Sequence, residues 1–164
     1  AAQKDGATPL YMAAQNGHLE VVQALLDRGA DKEAANKNGS TPLYVAAQTD
    51  HLQVVQALLD HGANKEAAQK DGATPLYMAA QNGHLQVLQA LLDHGANKEA
   101  ANNDGWTPLN SAAQKGHLEV VQALLDREAS KEAANTNGWT PINSAADEGH
   151  LEVVQGLLDP GANK

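Results

Sequence analysis

Cysteine and phenylalanine are both absent from this chain, and aromatic residues make up only 3% of it. Without cysteine there are no disulfides and no thiolate metal sites. That is most compatible with a reducing compartment such as the cytoplasm. With so few rings, an interior has to be assembled from Ala, Leu and Val, which suits thin, closely packed helices. Clustered positive charge is missing too: 11 Lys and Arg stand against 20 Asp and Glu, for a formal net charge of −9. Nucleic-acid and anionic-membrane surfaces need such clusters, so neither is expected as a partner. The longest apolar stretches are of the Val54-Val55-Gln56-Ala57-Leu58-Leu59 kind, far short of the roughly 20 residues of a membrane helix. No signal-peptide pattern is visible. The start at Ala1 without Met gives the expectation of a processed or excised fragment.

What is present is a beat. Thr-Pro recurs at Thr8-Pro9, Thr41-Pro42, Thr74-Pro75, Thr107-Pro108 and Thr140-Pro141, each 33 residues after the last. A fixed period of that length signals one small unit stacked in a row. The five units run over about 1–33, 34–66, 67–99, 100–132 and 133–164 and form one domain. In the second unit, Asn36 to Gly39 read as a turn, Thr41 as a helix N-cap, and Pro42 as the first helical residue, where its missing N–H is harmless. A second helix is expected from about Leu52 to Asp60, with Leu52, Val55, Leu58 and Leu59 on one face. Gly62 should end it in the left-handed region. Helices this short are marginal alone, so stacking has to stabilise each unit.

The first unit reads Gly6-Ala7-Thr8-Pro9-Leu10-Tyr11-Met12-Ala13-Ala14, then Gly17-His18-Leu19-Glu20-Val21-Val22-Gln23-Ala24-Leu25-Leu26, then Gly29-Ala30. This resembles the ankyrin repeat closely, over essentially the whole chain. The resemblance implies an all-α solenoid of antiparallel helix pairs, joined by protruding hairpin turns, with a concave groove and no substantial β-sheet. It also implies a non-catalytic protein-binding role. The family's histidine after Thr-Pro-Leu is replaced throughout, by Tyr11, Tyr44 and Tyr77 and then by Asn110 and Asn143. That puts its usual tie between repeats in doubt.

Periodic residues are explained by stacking, so the positions that break the period carry the information. Before Thr stand Ala7, Ser40 and Ala73 in the tyrosine repeats, but Trp106 and Trp139 in the asparagine repeats. The two positions are four apart, close enough to meet across a helical turn. Two readings stay open: a ring shielding the backbone from either side, or a groove presenting tyrosines at one end and tryptophans at the other. Asp50 replaces a loop glycine and Glu128 a helix-ending glycine. Glu128 should cost about 1 kcal/mol if the left-handed geometry is kept. Gly156 and Pro160 should weaken the last helix, making repeats four and five the loose end. Neither end looks capped, so the chain is expected to be cut from a longer array, with end-to-end stacking of copies as the alternative.

Seven histidines raise the question of a metal. Five of them (His18, His51, His84, His117 and His150) recur once per unit. Stacked helices lie about 8–10 Å apart, too far for equivalent positions to share an ion whose ligand nitrogens sit at about 2.1 Å. A structural role is expected, and for His61 and His94 a place at helix C-termini. The helix-ending Asp27, Asp60, Asp93, Asp126 and Asp159 are periodic as well and form no evident catalytic pair. Ser111 and Ser144 lack a Gly-x-Ser-x-Gly elbow. No catalytic, metal or cofactor site is expected.

What the family resemblance carries over is a recognition surface along the turn tips and the exposed sides of the first helices. In repeat one it comprises Lys4, Asp5, Ala7, Tyr11, Gln15 and Asn16, and in repeat two Lys37, Asn38, Ser40, Tyr44, Gln48 and Thr49. Repeat three adds Lys70, Asp71, Ala73, Tyr77, Gln81 and Asn82; repeat four adds Asn103, Asp104, Trp106, Asn110, Gln114 and Lys115. Repeat five supplies Thr136, Asn137, Trp139, Asn143, Asp147 and Glu148. The expected partner is a protein. The alternative is a structural spacer or self-assembling array, natural or engineered, with an unused groove.

Overall fold

A computed structural model of the chain describes residues 4–159. Pro160, expected to weaken the last helix, lies outside them. The described residues form ten helices and no strand: α1 (Pro9–Gln15), α2 (Leu19–Asp27), α3 (Pro42–Gln48), α4 (Leu52–Asp60), α5 (Pro75–Gln81), α6 (Leu85–Asp93), α7 (Pro108–Lys115), α8 (Leu118–Asp126), α9 (Pro141–Asp147) and α10 (Leu151–Leu158). The odd-numbered helices pack on one another in a row and the even-numbered helices in a second row behind it. The expected all-α solenoid of helix pairs is what forms.

Local chemistry starts each odd helix. The hydroxyls of Thr8, Thr41, Thr74 and Thr107 each accept the N–H three residues on, at 3.1 Å, and proline occupies the first turn. That satisfies one of the orphan donors of a short helix. Small residues then let the odd row close up, for Ala14, Ala47, Ala80 and Ala113 are fully buried. Leu10, Leu43, Leu76 and Leu109 from the odd row meet Val22, Val55, Leu88 and Val121 from the even row in a core that runs the length of the stack.

Two sets of polar ties cross all four junctions, and a third crosses the first three. Along the turns, the N–H of Lys37, Lys70, Asn103 and Thr136 donates to the carbonyl of Asp5, Asn38, Asp71 and Asp104, at 2.8 to 3.0 Å. Behind them, the imidazoles of His51, His84, His117 and His150 reach back 36 residues to the carbonyls of Gln15, Gln48, Gln81 and Gln114, at 2.9 to 3.0 Å. These four histidines therefore hold adjacent repeats together. At the rear edge, Asp27 faces His61, Asp60 faces His94, and Asp93 pairs with Arg127. His61 and His94 also bond the carbonyls of Ala57 and Ala90 at their own helix ends, each at 2.9 Å.

Both irregular loop positions keep the geometry glycine has elsewhere. Asp50 sits at φ 65° and Glu128 at φ 63°. The loop after α8 closes through Glu128 N–H to Leu125 O and Ala129 N–H to Leu124 O, as Gly62 and Ala63 close the loop after α4. Glu128 is exposed, so nothing offsets the strain of its Cβ. Glu128→Gly is expected to raise stability by about 1 kcal/mol, or roughly 2–4 °C in melting midpoint. Calorimetry showing no gain would mean that the strain is relieved elsewhere.

Candidate interaction surface

The residues proposed for recognition divide into two groups. Every turn-tip residue stands in solvent: Lys4, Asp5, Lys37, Asn38, Lys70, Asp71, Asn103, Asp104, Thr136 and Asn137 are all exposed. The tips form a continuous row because each is hydrogen-bonded through its backbone to the next. At the C-terminal ends of the odd helices, Asn16, Asn82, Lys115, Asp147 and Glu148 are exposed, while Gln15, Gln48, Thr49, Gln81 and Gln114 are half-buried. Lysines mark the first three tips, beside Asp5 and Asp71 in the first and third, while Asp104, Lys115, Asp147 and Glu148 lie toward the far end.

The second group is inside. Tyr11, Tyr44, Tyr77, Ala7, Ser40, Ala73 and Asn110 are buried, Tyr44 to 1% and Asn110 to 0% exposure, so none of them is available to a partner. The physical reason is a register that lies between repeats rather than within one. The phenol of Tyr11 donates to Ser40 Oγ, 29 residues on, at 3.4 Å, and accepts from Asn36 Nδ2 at 3.3 Å. Tyr77 accepts from Asn102 Nδ2 at 3.3 Å, and Asn110 Nδ2 donates to Trp139 O, again 29 residues on, at 3.4 Å. The residue before Thr therefore meets the Tyr or Asn of the preceding repeat. The expectation of a meeting within one helical turn is corrected accordingly. These bonds join the repeats at the first, third and fourth junctions, and at the second Tyr44 packs with Ala73 in an apolar cluster.

Tyr44, Ala73, Tyr77 and Met78 make a second, smaller apolar cluster under the turns, and Trp106 packs against it. Burial holds the Tyr44 phenol well above its ordinary pKa, with the Asp71 carboxylate adding to the effect. Burial raises the Tyr77 phenol too, opposed by the Ser111 hydroxyl. Ser111 Oγ has no partner in strict hydrogen-bond geometry, so that tie is a loose one. Both phenols stay protonated at neutral pH and act as joints of the stack.

The far end differs. Trp139 is 37% exposed, because the residue it faces is Asn110 and no ring backs it. Beside it, Asn143 is exposed and folds back on its own helix start, its Oδ1 accepting from Thr140 N–H at 3.1 Å and from Thr140 Oγ1 at 2.8 Å. With Asn137, Gly138, Ala146 and Asp147 these residues line an open hollow. Among the described residues no three His, Asp or Glu side chains come together as metal ligands, and no helix is long and apolar enough to cross a membrane.

A family model for ankyrin repeats matches the chain three times, over residues 1–69, 64–135 and 98–164. The chain belongs to the ankyrin repeat family. Among curated proteins none matches it. Ankyrin repeats generally serve as protein-interaction modules and are typically non-catalytic. Sequence reasoning missed two sets of contacts in this ankyrin stack. One is the carboxylate row of Glu33, Glu66 and Glu99, which accepts the backbone N–H of Asn64, Asn97 and Ser130 in the following repeat. The other is the Asp–His/Arg row at the rear. Their period of 33 was visible, but their partners were not.

Proposed function

We propose that this ankyrin chain is a non-catalytic scaffold that binds a protein along its row of turn tips, with Trp139 as the apolar anchor. The single observation that carries the reading is the contrast between two tryptophans at equivalent positions. Trp106 is spent on an internal cluster, whereas Trp139 is exposed over a hollow. Exposed aromatics beside concave, polar-rimmed surfaces are the usual anchors of protein interfaces. The tips are preorganised by their backbone ties, so little ordering opposes binding on this side. The surface is near balance in the first three repeats, where Asp5 and Asp71 offset Lys4 and Lys70, and acidic at Asp147 and Glu148, which would favour a partner with basic groups at that end.

Photo-crosslinking side chains placed at Asn38, at Asn137 and at Gln53 on an even helix test this in cells of the source. A partner captured from the two tip positions and not from Gln53, and losing at least about tenfold in affinity with Trp139→Ala, supports the reading. Capture from Gln53 alone, or indifference to Trp139→Ala, overturns it.

A further inference from the structure

The dipeptide Asn-Gly occurs at Asn16-Gly17, Asn38-Gly39, Asn82-Gly83 and Asn137-Gly138. It carries a chemistry of its own. Glycine has no Cβ to keep its nitrogen away from the side-chain carbonyl of the residue before it. The two groups belong to adjacent residues, and such proximity favours attack within the chain. The fold places these pairs in two settings. Asn16 and Asn82 cap the ends of α1 and α5, and their amides are tied, Asn16 Nδ2 to Met12 O at 2.9 Å and Asn82 Nδ2 to Gln48 O at 3.3 Å. The imidazoles of His51 and His117 lie 2.5 and 2.6 Å from where Cβ atoms on Gly17 and Gly83 would be. Opening either pair means moving a helix end and a junction histidine.

Asn38 stands at a turn tip in solvent. Its ties are made by its backbone: the N–H donates to Asn36 Oδ1 and the carbonyl accepts from Lys70 N–H, each at 3.0 Å. No ring covers Gly39, and the atoms nearest its Cβ position are backbone atoms of Gln69 and Lys70, at 3.4 Å. Gly39 N–H donates to Asn36 O at 3.0 Å, so the tip has to open before that nitrogen can react. Exposed turns open at small cost. The same tip position is already an aspartate in repeats one, three and four, as Asp5, Asp71 and Asp104, and an asparagine again at Asn137. Repeat four is a direct template. Asp104 N–H donates to Asn102 Oδ1, and Asp104 O accepts from Thr136 N–H, each at 3.0 Å. A carboxylate at position 38 therefore fits the turn as it stands.

We propose that Asn38 is a site of spontaneous modification, its side-chain amide hydrolysed with the Gly39 nitrogen as nucleophile and water as co-reactant. Solvent base takes the Gly39 N–H proton, and the nitrogen bonds to Asn38 Cγ. The Cγ–Nδ2 bond breaks, and Nδ2 leaves as ammonia after taking up a proton. Water then opens the resulting five-membered imide at one of its two carbonyls. Attack at Cγ leaves aspartate; attack at the main-chain carbonyl leaves isoaspartate, with the backbone running through the side chain. The first product reproduces the turn of repeat four. The second lengthens the backbone at the residue whose carbonyl ties to Lys70. Either product sets a carboxylate beside Lys37, as Asp5 and Asp71 already stand beside Lys4 and Lys70, and makes the net charge of −9 one unit more negative. Ammonia is lost to solvent, so the change runs one way. It proceeds whether or not a partner occupies the row.

Peptide mapping by mass spectrometry tests the proposal on the intact chain, aged in solution at neutral and at mildly alkaline pH. Conversion is read as a one-dalton gain in the peptide that holds each Asn-Gly pair. In the folded chain Asn38 is expected to convert at least about tenfold faster than Asn16 and Asn82, a difference of about 1.4 kcal/mol in barrier. The rate should rise with pH, because the attacking nitrogen has to lose its proton. In concentrated urea the three rates should converge, since the reacting pair is the same and the fold no longer sorts them. Asn38→Asp, the product made directly, is expected to fold and to melt with the parent chain. Conversion at Asn38 no faster than at Asn16 and Asn82 in the folded chain overturns the proposal. So does a preference for Asn38 that persists unchanged in urea, or an Asn38→Asp chain that fails to fold.

Discussion

Trp106→Ala is expected to lower the unfolding free energy by about 2–3 kcal/mol, somewhat less than the roughly 3–5 kcal/mol of aromatic truncation in a full core, because Trp106 is half-buried. The equivalent change at Trp139 should cost less than about 1 kcal/mol, as for most surface positions. The two tryptophans occupy the same position in successive repeats, end the same kind of turn and precede the same Thr-Pro pair. Both receive the same backbone support: Trp106 N–H donates to Asn102 Oδ1 and Trp139 N–H to Asn135 Oδ1, each at 3.0 Å. What differs is the neighbour 29 residues earlier. Trp106 lies against the cluster of Tyr44, Ala73, Tyr77 and Met78, so alanine there uncovers Tyr77 and opens a gap that the stiff turn cannot collapse to fill. Trp139 faces Asn110, which offers no ring. Urea midpoints at constant slope measure both changes. Equal losses would mean that the second cluster contributes nothing; a larger loss at Trp139 would reverse the assignment of roles. Partner affinity should move the other way, with Trp139→Ala the more damaging of the two.

Much of this architecture was legible because it is local. The N-cap threonines, the prolines behind them and the left-handed turn at Glu128 follow from the chemistry of a few adjacent residues. The structural role of His51, His84, His117 and His150 followed from spacing, though not the carbonyl each one finds. The recognition surface was legible only in part. The turn tips lie in solvent because the turns protrude, but Tyr11, Tyr44, Tyr77, Ser40 and Asn110 are interior. Period alone does not say which face of one repeat meets which face of the next. The sequence shows that tyrosine goes with a small residue and asparagine with tryptophan within a repeat. The contact that matters joins one repeat to the following one, and there the pairs are Tyr–Ser, Tyr–Ala, Tyr–Trp and Asn–Trp. Seen across junctions, that alternation within a repeat no longer holds. Tyr77 and Trp106 stand together, and between Asn110 and Trp139 a ring is missing.

That missing ring gives the other large effect: Asn110→Tyr is expected to raise stability by about 2 kcal/mol. In the parent chain Asn110 Oδ1 and Asn135 Nδ2 are buried without hydrogen-bond partners, and each such group costs about 1–3 kcal/mol. They are an acceptor and a donor on opposite sides of the junction between repeats four and five. At the preceding junction the same two positions are joined, because the Tyr77 phenol is long enough to accept from Asn102 Nδ2 at 3.3 Å; at the first junction Tyr11 and Asn36 are joined in the same way. A tyrosine at 110 removes the orphaned acceptor, gives Asn135 Nδ2 its acceptor and places a ring against Trp139. The bond lost, Asn110 Nδ2 to Trp139 O, is long at 3.4 Å. Overpacking is the competing effect and can cost 1–3 kcal/mol, roughly the size of the gain. The junction between Tyr77 and Trp106 shows that this backbone accommodates both rings, with Trp106 only half-buried. Asn110→Leu separates the contributions, since it fills space but leaves Asn135 Nδ2 unmet, and it should gain clearly less. The urea midpoint reads all three chains. If the tyrosine variant is no more stable than the leucine variant, the unmet amide at Asn135 carries no penalty and the joint works by packing alone.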